Sequence, residues 1–198
     1  NPQNGDLIKS QTQFAIYDGS NGWRGSLTYL YEGQGYMLKA SSAQTFSYAA
    51  YLSSTEKSSQ NDKDRAPVVA EEFAAYSSNM NLIAKIPTRF DGIRVFDNEG
   101  NLVGEAFASR EGFEDYRMLY ATIYGNDYQD LKIVLLQGNK EVSTSTSLVY
   151  VPDALYGTVK TPLIIEEDTL IKATFSAAPN PFTDYVNVDF QATSSGEA

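Results

Sequence analysis

Apolar residues recur at every second position in successive runs through the second half of this chain. The run 80–86 alternates apolar and more polar residues until Pro87 ends it, and the run 117–124 repeats the pattern. Successive side chains of a strand point to opposite faces, so a period of two predicts half-buried β-strands. The run 131–136 is apolar on both faces, which predicts a central strand.

Turn residues separate these runs. Asp97–Asn101 reads Asp-Asn-Glu-Gly-Asn between two apolar runs and predicts a hairpin turn. The run 143–151 is rich in Ser, Thr and Val, as in an edge or half-exposed strand. Further strands are predicted at 93–96, 102–107, 163–165 and 169–175. Strands at this spacing without a convincing helix predict an all-β fold, with an antiparallel β-sandwich at residues 78–175.

A small β-module is predicted at residues 1–52. A strand at Gln13–Tyr17 is closed by the turn Asp18–Gly22, and a further strand is expected at Thr45–Tyr51. Between them, the alternating runs Ser26–Tyr31 and Gly35–Lys39 flank Glu-Gly-Gln-Gly. We expect these two runs to form a hairpin, with the only Trp, Trp23, capping or filling the core beneath it.

The module and the sandwich are separated by a polar stretch. Residues 53–65 contain no apolar residue and cannot bury anything, so 53–77 is predicted to be a linker or long loop with a domain boundary. A short helix is predicted within it at Val68–Tyr76, where helix propensity is highest, although nine residues need tertiary support.

The chain of 198 residues contains neither Cys nor His. This excludes thiol nucleophiles, Cys/His zinc sites, His general bases and Ser-His-Asp triads. A net charge of −10 without a cluster of Lys and Arg disfavours nucleic acid and anionic membrane surfaces as partners. No apolar run approaches the ~20 residues of a membrane-spanning helix. We therefore expect no cofactor, no metal and no membrane insertion.

Two aromatic sets are candidate ligand-binding residues. Tyr116, Tyr120 and Tyr124 share one strand face, so they are either exposed for a glycan or protein or lie on a second covered face. The strand propensity of Tyr favours a face without a ligand. Trp23 could stack on sugar rings, but a lone Trp in a small module is usually buried, so we expect it in the core. The aromatic platform for such stacking would consist of Trp23 with Tyr29, Tyr31 and Tyr36.

Acidic residues suggest two weaker kinds of site. Asp97–Asn101 has oxygen ligands at alternating positions, but it lacks the rest of a calcium loop, so a plain hairpin turn is favoured. Weaker versions of this pattern are Asn126-Asp127 with Asp130, and Asp62 with Asp64. Carboxylate pairs occur at Glu71-Glu72, Glu114-Asp115 and Glu166-Glu167-Asp168. None has an apolar setting that would separate its pKa values, so we expect solvated groups and no enzymatic activity.

The last segment carries a recognisable motif, which is Pro179, Asn180, Pro181 and Phe182. The prolines end the preceding strand, and the run 186–190 then alternates as a strand for which we expect no hairpin partner. Ala178–Val188 resembles the opening of the C-terminal sorting domain of the type IX secretion system of Bacteroidetes. The resemblance implies that 176–198 is the truncated start of such a domain, whose complete form contacts the secretion machinery.

Two further stretches resemble modules of Bacteroidetes surface proteins. Gly22–Leu27 and Gly35–Leu38 are similar to parts of a repeat in which a Trp-Asn-Trp strand normally comes first, which implies that the module starts part-way through. Asn79–Ala84 and Leu119–Gly125 resemble the β-domain that often follows that repeat, with Val103-Gly104 where that family carries Arg-Gly. The resemblances imply a secreted or cell-surface, non-catalytic accessory region. The alternative is a carbohydrate-binding or adhesin module that uses exposed tyrosines, with glycans or extracellular proteins as partners.

Overall fold

The computed structural model of the protein describes most of the chain. The described residues are 1–31, 33–43, 45, 71–110, 112–113, 115–168, 174–178 and 187–191, of which 112–113, 174–178 and 187–191 are described as backbone only. Nearly all the regular structure in them is strand, which confirms the predicted all-β class. The chain divides into two compact units, residues 1–167 and residues 168–198.

The first unit begins with a small antiparallel sheet, the N-terminal sheet. Its strands are β1 (Leu7–Lys9), β2 (Phe14–Asp18), β3 (Gly22–Gly25) and β4 (Met37–Lys39), in the order β3-β2-β1-β4. Strands β2 and β3 form a hairpin through the predicted turn at Asp18–Gly22. The turn fits its sequence, because Gly22 adopts a positive φ of 76° and Asn21 donates to the Asp18 carboxylate.

The predicted hairpin of Ser26–Tyr31 with Gly35–Lys39 is not formed. Residues 26–31 belong to no strand, and β4 pairs instead with β1, in the register Ile8↔Leu38. Alternation in 26–31 did not predict this, because a period of two gives the side-chain directions of a strand but does not specify its partner.

The β-sandwich fills most of the rest of the first unit. Its strands are β5 (Ser78–Pro87), β6 (Gly92–Phe96), β7 (Leu102–Phe107), β8 (Gly112–Phe113), β9 (Tyr116–Gly125), β10 (Gln129–Gln137), β11 (Lys140–Tyr150), β12 (Leu155–Tyr156) and β13 (Leu163–Ile164). One sheet has the order β11-β10-β6-β7, and the other has the order β12-β5-β9-β8. Strands β12 and β13 run parallel to β5.

The main core lies between these two sheets and follows the alternation in the sequence. In the β5–β9 pair, Met80 lies opposite Ile123 and Ala84 lies opposite Leu119, and all four side chains are buried. Strand β10 lies between β6 and β11, as predicted for a central strand, and Ile133 to Leu136 are buried on both of its faces. Strand β11 is an edge strand with mostly exposed side chains.

The second face of the β5–β9 pair is covered by the N-terminal sheet. Ile83 and Met118 on this face pack with Leu7, Phe14 and Ile16 on the inner face of that sheet. The predicted modules 1–52 and 78–175 thus supply different sheets, but those sheets share an apolar interior inside one compact unit.

Polar groups tie the N-terminal sheet to the sandwich around this apolar interior. The Lys9 ammonium group donates to Asp153 at 2.7 Å and to the side-chain oxygen of Asn79 at 3.0 Å. The Thr122 hydroxyl donates to the backbone oxygen of Thr12 at 3.1 Å. Lys9 is buried although it is charged, which is tolerated because its ammonium group keeps an anionic partner.

Several predictions fall partly outside the described residues. Within the predicted helix Val68–Tyr76, Glu71–Phe73 forms one 3-10 turn, and 68–70 lie outside. The predicted strand Thr45–Tyr51 lies outside except for Thr45. The motif residues Pro179, Asn180, Pro181 and Phe182 also lie outside, as do Asp62 and Asp64.

The second unit contains one described strand pair. Strands β14 (Thr174–Ala178) and β15 (Asn187–Gln191) are antiparallel neighbours, with Phe175 opposite Phe190. The prediction that the last strand lacks a hairpin partner was therefore wrong.

Candidate functional site

The predicted ligand-binding residues lie on two different surfaces of the first unit. Trp23 is in β3 on the outer face of the N-terminal sheet, opposite Tyr17 of β2. Tyr120 and Tyr124 are in β9, on the strand face that the inner side of the N-terminal sheet covers. The sheet separates the two sets, so the structure does not bring them together.

Two of the three stripe tyrosines are occupied by contacts within the protein. Only 8% of the Tyr124 surface is exposed, and its ring stacks on Phe73 with a centroid distance of 4.6 Å. Burial raises the pKa of Tyr124 to about 12, because the phenolate loses its hydration. Tyr120 is half-buried and packs edge-to-face on Phe14 at 6.2 Å. The interpretation of a second covered face fits these two residues.

Tyr116 lies at the start of β9 in polar surroundings. Its hydroxyl donates to the Glu166 carboxylate at 2.6 Å, and this hydrogen bond raises the pKa of Tyr116. The Lys85 ammonium group lies 4.6 Å from the centre of the Tyr116 ring. The three tyrosines therefore do not form one exposed stripe on which a flat ligand could stack.

Trp23 is exposed, contrary to the expectation that it fills a core. Its exposed fraction is 42%, and its ring meets Tyr17 edge-to-face at 5.5 Å. The inner face of the sheet uses Phe14 and Ile16 to reach the sandwich, which leaves the other face of the same strands outward. Trp23 lies on that outward face, so the usual burial of Trp does not apply here.

A groove of about 180 Å³ lies beside Trp23. It is lined by Ile8, Ala15, Trp23, Leu27, Thr28, Tyr29 and Leu30. Ile8, Ala15 and Leu27 are buried and form its floor, whereas Tyr29 is 70% exposed. The structure thus brings together Trp23 and Tyr29 from the predicted aromatic platform. Tyr36 packs against the apolar cluster below instead.

The segment after β3 is folded back over the outer face by specific hydrogen bonds. The Leu27 amide donates to the Phe14 carbonyl at 2.9 Å, and the Phe14 amide donates to the Ser26 hydroxyl at 3.2 Å. The close approach requires Gly25, because a Cβ there would lie 2.2 Å from the Phe14 carbonyl oxygen. The Tyr31 amide donates to the Tyr36 hydroxyl at 2.7 Å, which holds the far end.

The described members of the candidate acid pairs are exposed or engaged by other residues. Glu71, Glu72 and Asp115 are exposed, and Glu114 lies outside the described residues. Glu166 accepts the hydrogen bond from Tyr116, and its neighbour Glu167 is paired with Arg89. Two carboxyl groups that share a substrate need a common cavity, and these carboxylates are engaged by separate neighbours.

Asp97–Asn101 has the geometry of a hairpin turn. The Asp97 carboxylate accepts from the amides of Glu99 and Asn101, at 3.0 and 2.8 Å, and from the Asn101 side chain at 2.9 Å. Burial alone would raise the pKa of Asp97, but these hydrogen bonds outweigh it and lower the pKa below its ordinary value. Asn126 accepts hydrogen bonds from Ser77. Among the described residues, no group of three acidic side chains could hold a metal ion.

A search for similar proteins matched no family model, no curated protein and no solved structure. Within the described part of the chain, no helix has the length and apolar character to cross a membrane. The groove beside Trp23 is therefore the candidate functional site on geometry alone. Sequence reasoning identified two of its lining residues, Trp23 and Tyr29, as candidate aromatic ligand-binding residues. No sequence pattern indicated that Leu30 would also line the groove.

Proposed function

We propose that the chain is a non-catalytic accessory region of a secreted, surface-displayed bacterial protein, leading into a type IX sorting signal. The observation that carries this proposal is the placement of the described carboxylates of the candidate pairs, which are the predicted acid-base groups in this chain without His or Cys. The described members of the candidate pairs are exposed or engaged by separate partners. The resemblance of the last segment to a sorting domain supplies the cellular setting.

The packing of the first unit suits a spacer. The N-terminal sheet is joined to the sandwich by the buried side chain of Phe14 and by the ion pair of Lys9 with Asp153. Two sheets that share an interior resist separation, because parting them would expose apolar surface and the Lys9 charge pair. Such a body would serve as a stable spacer within a longer protein.

Export is tested by fusing a reporter protein to residues 1–198, with the segment 176–198 extended into a complete sorting domain. We expect the reporter on the surface of a cell with a working type IX system. A matched strain without that system, carrying the same fusion, is the control and should retain the reporter. Equal export from both strains, or none from the competent strain, would contradict the proposed setting.

The absence of catalysis is tested by screening the purified chain against polysaccharides and peptides. We expect no turnover. Glu166→Gln and Glu71→Gln provide matched variants, one at an engaged acid and one at an exposed acid. Turnover by the wild type that one of these variants loses would contradict the proposal and would identify the acid responsible.

A second candidate function is the binding of glycans or extracellular proteins. The buried Tyr124 and the half-buried Tyr120 do not favour the stripe that first suggested it. The exposed aromatic walls of the groove, Trp23 and Tyr29, do favour it. A ligand class for that groove follows from its chemistry.

A further inference from the structure

The Trp23 side of the groove is already held in place by contacts within the sheet. The Trp23 ring is fixed by its edge-to-face contact with Tyr17, and the Leu27 amide anchors the opposite side to β2. Both aromatic walls nevertheless remain exposed to solvent. A fixed, exposed aromatic surface can bind a ligand without first being ordered, which removes one of the usual entropic costs of association.

The polar groups of the groove come from its backbone and from three of its described side chains. None of the hydrogen bonds among the described residues uses a backbone group of residues 28–30, so their amides and carbonyls are open to a ligand or to water. The Thr28 hydroxyl, the Tyr29 hydroxyl and the Trp23 indole N–H are its polar side-chain groups, and none of the described lining residues is charged. The groove therefore offers aromatic faces with neutral donors and acceptors beside them.

A sugar ring has matching chemistry. Its C–H groups form an apolar face that packs on an aromatic ring, and its hydroxyls lie around the edge as donors and acceptors. The uncharged lining and the net charge of −10 disfavour an acidic sugar. A groove of about 180 Å³ has room for a small group, whereas a stable protein partner would have to bury ~800 Å² on each side.

We propose that this groove binds one ring of a neutral polysaccharide. The ring stacks on Trp23 and Tyr29, and its hydroxyls bond to the backbone of residues 28–30 and to the Thr28 hydroxyl. This assignment rests on the second candidate function and gives it a site and a ligand class. It does not depend on export, so the reporter assay can succeed or fail independently of it.

Binding is tested by affinity gel electrophoresis of the full chain in dextran, galactomannan and mixed-linkage β-glucan, with polygalacturonate as an acidic comparison. Trp23 is the only Trp, so its fluorescence during a titration reports on this groove alone. We expect at least one neutral polysaccharide to retard the chain and shift the Trp23 emission. Retardation by polygalacturonate alone would overturn the proposal, as would the absence of any response.

Variants locate the site. Trp23→Ala and Tyr29→Ala should each weaken binding at least ~10-fold, as for aromatic residues at the centre of a binding surface. Tyr128→Ala is the matched control, because Tyr128 is 74% exposed but lies outside the groove. Tyr29 is so exposed that its loss should leave the thermal melt unchanged, which separates binding from folding. Equal affinities of Tyr29→Ala and the wild type would overturn the assignment. A concentration-dependent dimer that Trp23→Ala abolishes would also overturn it, because the groove would then bind a second copy of the chain.

Discussion

The ion pair between Lys9 and Asp153 should respond very differently to the removal of its two members. The Lys9 side chain is only 8% exposed, whereas the Asp153 side chain is 63% exposed. Asp153→Asn leaves a buried ammonium group without an anion, while Lys9→Met leaves a carboxylate that water can solvate. Asn is the suitable replacement because it tolerates the positive φ of 59° at this position.

The expected magnitudes follow from these exposures. Removing one partner of a fully buried pair costs ~3–5 kcal/mol. Water can reach the Asp153 side of this pair, so we expect Asp153→Asn to lower the free energy of unfolding by ~2 kcal/mol. Lys9→Met should lower it by less than ~1 kcal/mol, since an apolar side chain of similar length suits a buried site. Adding Asp153→Asn to Lys9→Met should have almost no further effect.

Urea unfolding of the full chain, followed by circular dichroism, measures all three variants. Glu105→Gln is the control, because it removes a partner from the exposed Arg94 ion pair and should change the free energy by less than ~0.5 kcal/mol. Asp153→Asn could lower the free energy of unfolding by the same amount in the wild type and in Lys9→Met. In that case the charge pair does not act across this interface, and the reasoning fails.

Three other perturbations test the packing. Phe14→Ala should lower the free energy of unfolding by ~3–5 kcal/mol, because the side chain is fully buried between the N-terminal sheet and the sandwich. A loss below ~1 kcal/mol in urea unfolding would show that Phe14 is not buried at this interface. Gly125→Ala should lower the melting temperature, since a Cβ there would lie 2.7 Å from the buried Tyr150 ring, and an unchanged melt would contradict that contact. Tyr124, with its pKa raised from 10.0 to about 12, should ionise late in an absorbance titration, and stability should fall as the pH rises through that interval. In Tyr124→Phe the late absorbance change should be smaller by one tyrosine, while the raised pKa values of Tyr76, Tyr116 and Tyr150 keep part of it; an unchanged titration would contradict the burial of Tyr124.

The sandwich could be predicted because its signals are local. Alternation in 80–86 and 117–124 placed β5 and β9, and Asp97–Asn101 carried the turn chemistry of the hairpin between β6 and β7. Each of these signals lies within about a dozen residues and uses side-chain direction or a preferred backbone conformation. The same reasoning gave β11 its edge position from its composition.

The N-terminal module could not be predicted as well, because its pairing is set by distant partners. Strand β4 pairs with β1 about thirty residues earlier, and no pattern within 26–39 indicates this. The exposure of Trp23 depends on which face of its sheet meets Ile83 and Met118 of the sandwich. Average burial of Trp describes proteins in general and does not choose between two faces of one sheet.

The most direct test concerns which aromatic surfaces are covered and which are open. Hydroxyl-radical footprinting of the native chain, read by mass spectrometry, reports the solvent accessibility of individual side chains. We expect fast modification of Trp23 and Tyr29 and strong protection of Phe14 and Tyr124, with protection lost in urea. Fast modification of Phe14 together with protection of Trp23 would contradict the arrangement in which the N-terminal sheet covers the β9 face and presents its own outer face to solvent.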